Sequence, residues 1–396
     1  RESLPKAIEK LQEARRLWQS LDEQSMGARV LLELVIACNS LGEYQKAIEY
    51  GHQALALLRA AEDRYWEANA LIFIGEAHHY LSEYQKAIDF THRSLPLWRA
   101  RGDRIGEAWA LNNIGSAYNS FGEKRLALDY YNQSLAAYQS AGSIDGQAIE
   151  HTQVGGLFAS LGEKQKAIDS LEHGLALWRI SGDVPRRDSR TFYRLGEVYA
   201  SLGDSQMALD YYDRALRRVR EGSDPAVEGR ILHSIGQVYA SMGKSQEALD
   251  YLNQALQLRR KIENRQGEAY TLTYLGTVYS SMGDKRQAMD YYDQALPLMR
   301  AVGDRYGEAY TLTYLGEAHY SLDDHQRAMD YLGQALSLRR AVEDREAPDL
   351  RRERGHHLHR AGAGADHRDP LAREIAVLLP GGGVHPRPLE AVDAAE

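Results

Sequence analysis

The ten residues GEAYTLTYLG at 267–276 recur letter for letter at 307–316. This identity is the sharpest case of a pattern that runs through most of the chain. An aliphatic residue followed by glycine recurs at Gly75, Gly115, Gly155, Gly196, Gly236, Gly276 and Gly316, forty apart except for one step of forty-one after Gly155. A small residue follows twelve later, at Ala87, Ala127, Ala167, Ala208, Ala248, Ala288 and Ala328, with Ala47 one step earlier. A fixed period of this length marks an array of stacked units, none of which can bury its apolar faces alone.

Each unit reads as two helices. In 267–282, Leu272, Leu275, Gly276 and Tyr279 fall at i, i+3, i+4 and i+7, one face of a helix. In 285–300, Ala288, Tyr292, Ala295 and Leu296 make a second stripe. Between them, Gly283 suits a left-handed helix end and Asp284 a cap for the next helix. Gly303 and Asp304 repeat that punctuation between units. The recurring Gly and Ala let two helix axes approach closely, because neither carries a bulky side chain at the contact. Residues 1–25 read as the second helix of a truncated unit, 26–342 as eight repeats, and 343–396 as a divergent tail.

The order Leu275-Gly276, Tyr279, Gly283, Ala288, Tyr292, Ala295-Leu296 resembles the tetratricopeptide repeat, and it recurs across about four-fifths of the chain. The resemblance implies an all-α, right-handed superhelical solenoid of antiparallel helix pairs. The period is forty where the family's usual one is about thirty-four, which implies longer helices. The proline that often ends the family's second helix is replaced by the phrase RxxGDRxGEA. In this longer form the chain is similar to arrays that accompany bacterial CHAT (caspase-like) peptidase domains and, more distantly, to kinesin light chains. The resemblance implies a protein–protein interaction scaffold whose concave groove takes a peptide or helix. An alternative it implies is the sensor or regulatory portion of a larger signalling protein, with a peptidase or other effector domain elsewhere in the parent chain. No peptidase motif stands in these residues, and with no initiating Met the chain reads as a fragment.

The pattern stops after RAVEDR at 340–345, where Ala347-Pro348 replaces the next GEA. Half of the ten prolines lie beyond residue 346, in a stretch rich in Arg, His, Ala and Gly. That composition predicts a largely disordered tail with one short helix over 371–379; the other reading is a ninth repeat translated out of frame.

Totals narrow the function class. The net charge is −8, which argues against nucleic acid or an anionic membrane as partner. Cys38 is the only cysteine, so no intrachain disulfide forms and no cysteine-rich metal site exists. No apolar run reaches the roughly 18 residues that a membrane span needs, and no signal peptide is visible; a cytoplasmic location is the expectation. HExxH, GxSxG, GxxxxGK[ST] and strand-linked GxGxxG motifs are all missing. Cys38 lies beside apolar residues and reads as a core thiol. His78 and His79 are adjacent, so their side chains diverge, and HHLH at 356–359 lacks the carboxylate or cysteine partners of a metal site. No catalytic, cofactor-binding or metal-binding residue is therefore assigned, and no cofactor is expected.

What remains is the surface that stacking creates. By helical phase the first helices should present Trp109, Asn112 and Asn119 in one unit and Arg190 and Tyr193 in a later one. Arg230 and His233, then Tyr270 and Thr273, then Tyr310, Thr313 and Tyr320 follow. These types carry recognition energy with modest entropy loss, so they are the expected contacts to a protein or peptide partner. A lysine that family members use to grip acidic chaperone tails is missing near Asn112, and Glu76 would repel such a tail.

Overall fold

A computed structural model describes residues 3–20, 24–182 and 188–346. All regular structure among them is α-helical. A leading helix α1 (Ser3–Ser20) is followed by α2 (Gln24–Leu41), α3 (Tyr44–Ala60), α4 (Arg64–Tyr80), α5 (Tyr84–Arg101), α6 (Arg104–Phe121), α7 (Lys124–Ser140), α8 (Ile144–Ser160) and α9 (Lys164–Ser181). Then come α10 (Ser189–Ser201), α11 (Ser205–Gly222), α12 (Pro225–Ser241), α13 (Ser245–Lys261), α14 (Arg265–Ser281), α15 (Lys285–Val302), α16 (Arg305–Ser321) and α17 (His325–Glu346). The tail reading lies outside the described residues from 347 on. These residues fall into two compact units, one up to Arg194 and one from Leu195. In each, sequence neighbours pack as antiparallel hairpins: α2 with α3, α4 with α5, α6 with α7 and α8 with α9 in the first, and α12 with α13, α14 with α15 and α16 with α17 in the second.

The glycine–alanine pairs are contacts. A Cβ built on Gly155, Gly236 or Gly316 would lie 2.6, 2.7 and 2.7 Å from the Cγ of Leu171, Leu252 and Leu332. It would also lie 3.2–3.3 Å from the carbonyl oxygens of Ala167, Ala248 and Ala328. Hydrogen at the glycine is what brings the hairpin's backbones together. Tyrosine does the packing one turn further on. Tyr118 stacks on Tyr130, Tyr239 on Tyr251 and Tyr279 on Tyr291, with ring centroids 5.3–5.4 Å apart. Each pair joins the two helices of one hairpin and leaves its polar tips near water, which accounts for 25 tyrosines against 5 phenylalanines.

Turn chemistry follows the sequence. Asp103, Asp284 and Asp304 cap α6, α15 and α16 by accepting from the backbone N–H of Gly106, Gln287 and Gly307. Gly122 closes α6 at φ 93°, where a side chain would be strained. Between hairpins, an arginine near the end of one second helix grips a glutamate in the first turn of the next helix. Arg59–Glu67, Arg99–Glu107, Arg220–Glu228, Arg260–Glu268 and Arg300–Glu308 all lie at 2.6–2.8 Å. The phrase RxxGDRxGEA therefore encodes a clasp, a capped turn and a helix start in ten residues.

Candidate functional site

In α14, Ala269, Thr271, Leu272, Thr273, Leu275, Gly276 and Val278 are buried. Tyr270, Tyr274, Thr277 and Ser280 are left half-exposed along one line of the helix. The same register in the other first helices defines the face on which a ligand could lie.

In the first unit, α6 carries Trp109 and Asn112 half-buried and Asn119 exposed. Trp109 meets Phe73 of α4 edge-on at 5.4 Å, and Asn113 Nδ2 donates to the Trp109 carbonyl at 3.1 Å. Arg190 on α10 is exposed, but Tyr193 is only 6% exposed. In the second unit, Arg230 and His233 on α12, Tyr270 on α14 and Tyr310 on α16 are half-buried, and Tyr320 is exposed.

Three expected contact residues are thus not on the face. Tyr193, Thr273 and Thr313 are buried. Thr273 Oγ1 donates to the Ala269 carbonyl at 3.0 Å, and Thr313 Oγ1 to that of Ala309 at 2.8 Å. Thr273 stands in the seam between α14 and α16, 3.2 Å from Thr311. The face keeps Tyr270 and Tyr310 and shifts by one residue only at the buried position, because a helical side chain leans back over the preceding turn. It therefore adds Phe73 and Asn113 in the first unit and Tyr274 and Tyr314 in the second, all half-buried.

Several of the expected contact residues are already engaged. The Tyr270 hydroxyl donates to Asp304 Oδ2 at 2.6 Å, tying α14 to the cap of α16. Burial first, and then that carboxylate, push the Tyr270 phenol well above its ordinary range. Asn112 is held by Glu150 at 2.6 Å. His233 sits edge-on to Tyr274 at 5.5 Å, and burial with Arg259 nearby keeps it well below the usual histidine range. Tyr310 is the more available: its ring neighbours Tyr306 and Tyr314 at 5.3 and 6.5 Å, with Arg339 over it at 5.2 Å.

The other candidates are structural. Cys38 is buried, and burial raises its thiol. His78 bonds to Glu83 at 2.6 Å, while His79 bonds to Ser120 at 2.9 Å. Among the described residues, no three His, Cys, Asp or Glu side chains gather as metal ligands, and residues 356–359 lie outside them. No described helix is long and apolar enough to cross a membrane.

Residues 66–140, 191–226, 227–301 and 309–349 each match a model of the tetratricopeptide repeat, together more than half of the chain. The chain belongs to the tetratricopeptide repeat family. No curated protein matches it. Among solved structures it is similar to the apo form of the quorum sensor NprR from B. thuringiensis, with 14% identity, a TM-score of 0.63, and 85% of this chain and 99% of that one covered. Aspartyl phosphate phosphatase F from Bacillus subtilis shares 16% identity at a TM-score of 0.59, over 93% of this chain and 97% of that one. The Rap conjugation gene regulator of plasmid pLS20, solved with the Phr* peptide, shares 14% identity at a TM-score of 0.57, over 86% and 97%. At such identities the likeness establishes the tetratricopeptide fold alone.

Proposed function

We propose that this tetratricopeptide repeat protein binds a peptide segment of a partner along the half-exposed line of its first helices. The observation that carries this reading is the recurrence of aromatic and amide side chains along one line of the first helices: Phe73, Asn113, Tyr274 and Tyr314 at one repeat position, and Trp109 and Tyr310 one turn before it. Such residues bury large area at low entropy cost, and amides satisfy a peptide backbone. Two structures of similar fold were solved as complexes, the pLS20 regulator with the Phr* peptide and a Rap protein with competence and sporulation factor. The role assigned is binding, with no reaction attached. A regulatory part in a larger protein would use the same face, and the flanking coding sequence tests that version.

Selecting peptides from a display library against the full chain tests the reading. Replacing Tyr310 and Tyr320 together with Ala should weaken the selected peptides about tenfold or more, 1.4 kcal/mol, with helix content unchanged. Unchanged affinity in this double variant and in Trp109→Ala with Asn113→Ala would move binding off the face.

A further inference from the structure

At its N-terminal end the face of the first unit opens into a cleft of 620 Å³ between α2, α3 and α4. Its walls include Ile36 and Leu41, exposed aliphatics, and the rings of Tyr44, Phe73 and Tyr80. Tyr44 and Tyr80 stack on each other at 5.0 Å with planes 19° apart, so the pair stands in the wall as one rigid aromatic block. One carboxyl, Glu76, lies among the lining residues, and no basic side chain does.

The charges nearby are committed elsewhere. Lys46 is paired with Glu43 at 3.0 Å. His79 is held by Ser120. Burial raises the Glu76 carboxyl to about 7, with the Asn113 amide beside it as the opposing influence among the described residues. An acid in an apolar, aromatic-walled recess is stabilised in its charged form by a cation that enters with it. Aromatic faces attract the same cation, and aliphatic walls suit a long methylene stem.

We infer that this cleft receives a basic side chain, arginine or lysine, of the bound peptide, its stem along Ile36 and Leu41, its head on the Tyr44–Tyr80 wall and its charge against Glu76. The inference rests on the peptide-binding reading and adds to it a residue class and a place. A net-acidic chain, at −8, suits a basic ligand at long range as well.

The test uses small capped amino acids, which need no groove. The full chain, with labelled Ile and Leu methyl groups, is titrated with N-acetyl-arginine amide, N-acetyl-lysine amide and their uncharged counterparts, N-acetyl-citrulline amide and N-acetyl-norleucine amide. Saturable shifts at Ile36 and Leu41 are expected with the two cations, at affinities about tenfold or more above the uncharged pair. Glu76→Gln should abolish that preference, and Tyr80→Leu should weaken the cations while helix content stays constant. Equal affinity for arginine and citrulline amides on the unaltered chain overturns the inference, whatever the variants do. So does a preference that survives Glu76→Gln. Selected peptides that bind through Tyr310 and Tyr320, while the cleft ignores charge, would sink this inference alone and leave the peptide-binding reading standing.

Discussion

Asn112 Nδ2 donates to Glu150 Oε1 at 2.6 Å, joining α6 to α8 through the seam between consecutive first helices. The same two positions meet elsewhere as Thr152–Thr191 at 2.7 Å and Thr273–Thr311 at 3.2 Å. At the N-terminal end they are apolar: Leu32 and Ala70 share one core cluster, and Ile72 and Ala110 another. The seam is therefore polar where both partners are polar and apolar where both are apolar. That matching is what a buried contact demands, since a lone polar group there is left unsatisfied.

Glu150 makes the seam of the first unit sensitive to pH. It is fully buried, and its Oε2 has no partner. Burial raises its carboxyl from 4.5 to about 8, against the hydrogen bond of Asn112. The folded chain keeps the proton over that range while the unfolded chain loses it. The stabilisation is full below 4.5 and falls away as pH rises to about 8, by about 1.4 kcal/mol per pH unit. Glu76 adds a smaller trend of the same sign, up to about 7. Urea unfolding followed by hydrogen exchange in α6–α8 should show a shallower loss between pH 5 and 8 in Glu150→Gln than in the unaltered chain. An identical slope in the two proteins excludes Glu150 as the titrating group.

The clasp at Glu107 behaves in the opposite sense. Burial alone would raise this carboxyl, but hydrogen bonds from Arg99 and Arg104, at 2.6 and 2.7 Å, outweigh it and hold it below the usual range. Its contribution is present above pH 4.5 and is lost as pH falls through the lowered value. Both arginines are more than half exposed, so solvent screens the pair and Glu107→Ala should cost about 1–2 kcal/mol. Limited proteolysis should then cut faster at the 102–104 turn at pH 7, with the difference closing as pH falls through the lowered value.

Gly276→Leu should act locally. Any side chain there runs into the ring of Tyr292, which is itself stacked on Tyr314 at 5.6 Å. Overpacking of this kind costs about 1–3 kcal/mol, and an array passes strain mainly to its nearest neighbours. Hydrogen exchange should speed up in α14–α16 and stay unchanged in α4–α6. A uniform increase along the chain would show that the array melts as one body.

The fold was legible because repetition multiplies weak signals. Gly276, Ala288 and Asp284 each say little alone, yet their copies at fixed spacing leave a helical hairpin as the only consistent reading. The binding face was less legible. A helix has no sharp boundary between its buried stripe and its open side, and Tyr193, Thr273 and Thr313 fell on the wrong side of it. The signal that places them was present in the sequence: the equivalent positions in earlier repeats are Leu32 and Ile72, types seldom left in water. Threonine hides in the same seam by returning its hydroxyl to its own helix, which polarity alone does not reveal. Tyr270 is a different case, since its tie to Asp304 depends on how adjacent hairpins stack.

The shift at this position yields a direct comparison. Thr273 and Thr313 are buried with their hydroxyls bonded to their own helices, whereas Tyr274 and Tyr314, the next residues, are half-exposed on the face. Thr273→Val with Thr313→Val keeps shape and removes only hydroxyls whose acceptor carbonyls, Ala269 and Ala309, retain their helical N–H donors, so it should change stability by about 1 kcal/mol or less and leave peptide affinity unchanged. Tyr274→Ala with Tyr314→Ala should do the reverse in binding: affinity for a display-selected peptide should fall about tenfold or more. Tyr314 also packs on Tyr292, so Tyr274→Phe with Tyr314→Phe separates packing from recognition by keeping the rings and removing the hydroxyls. Isothermal titration of all three double variants ranks the two registers. If the threonine pair weakens the peptide and the tyrosine pair does not, the ligand lies on the earlier register, and the face as drawn is wrong by one residue.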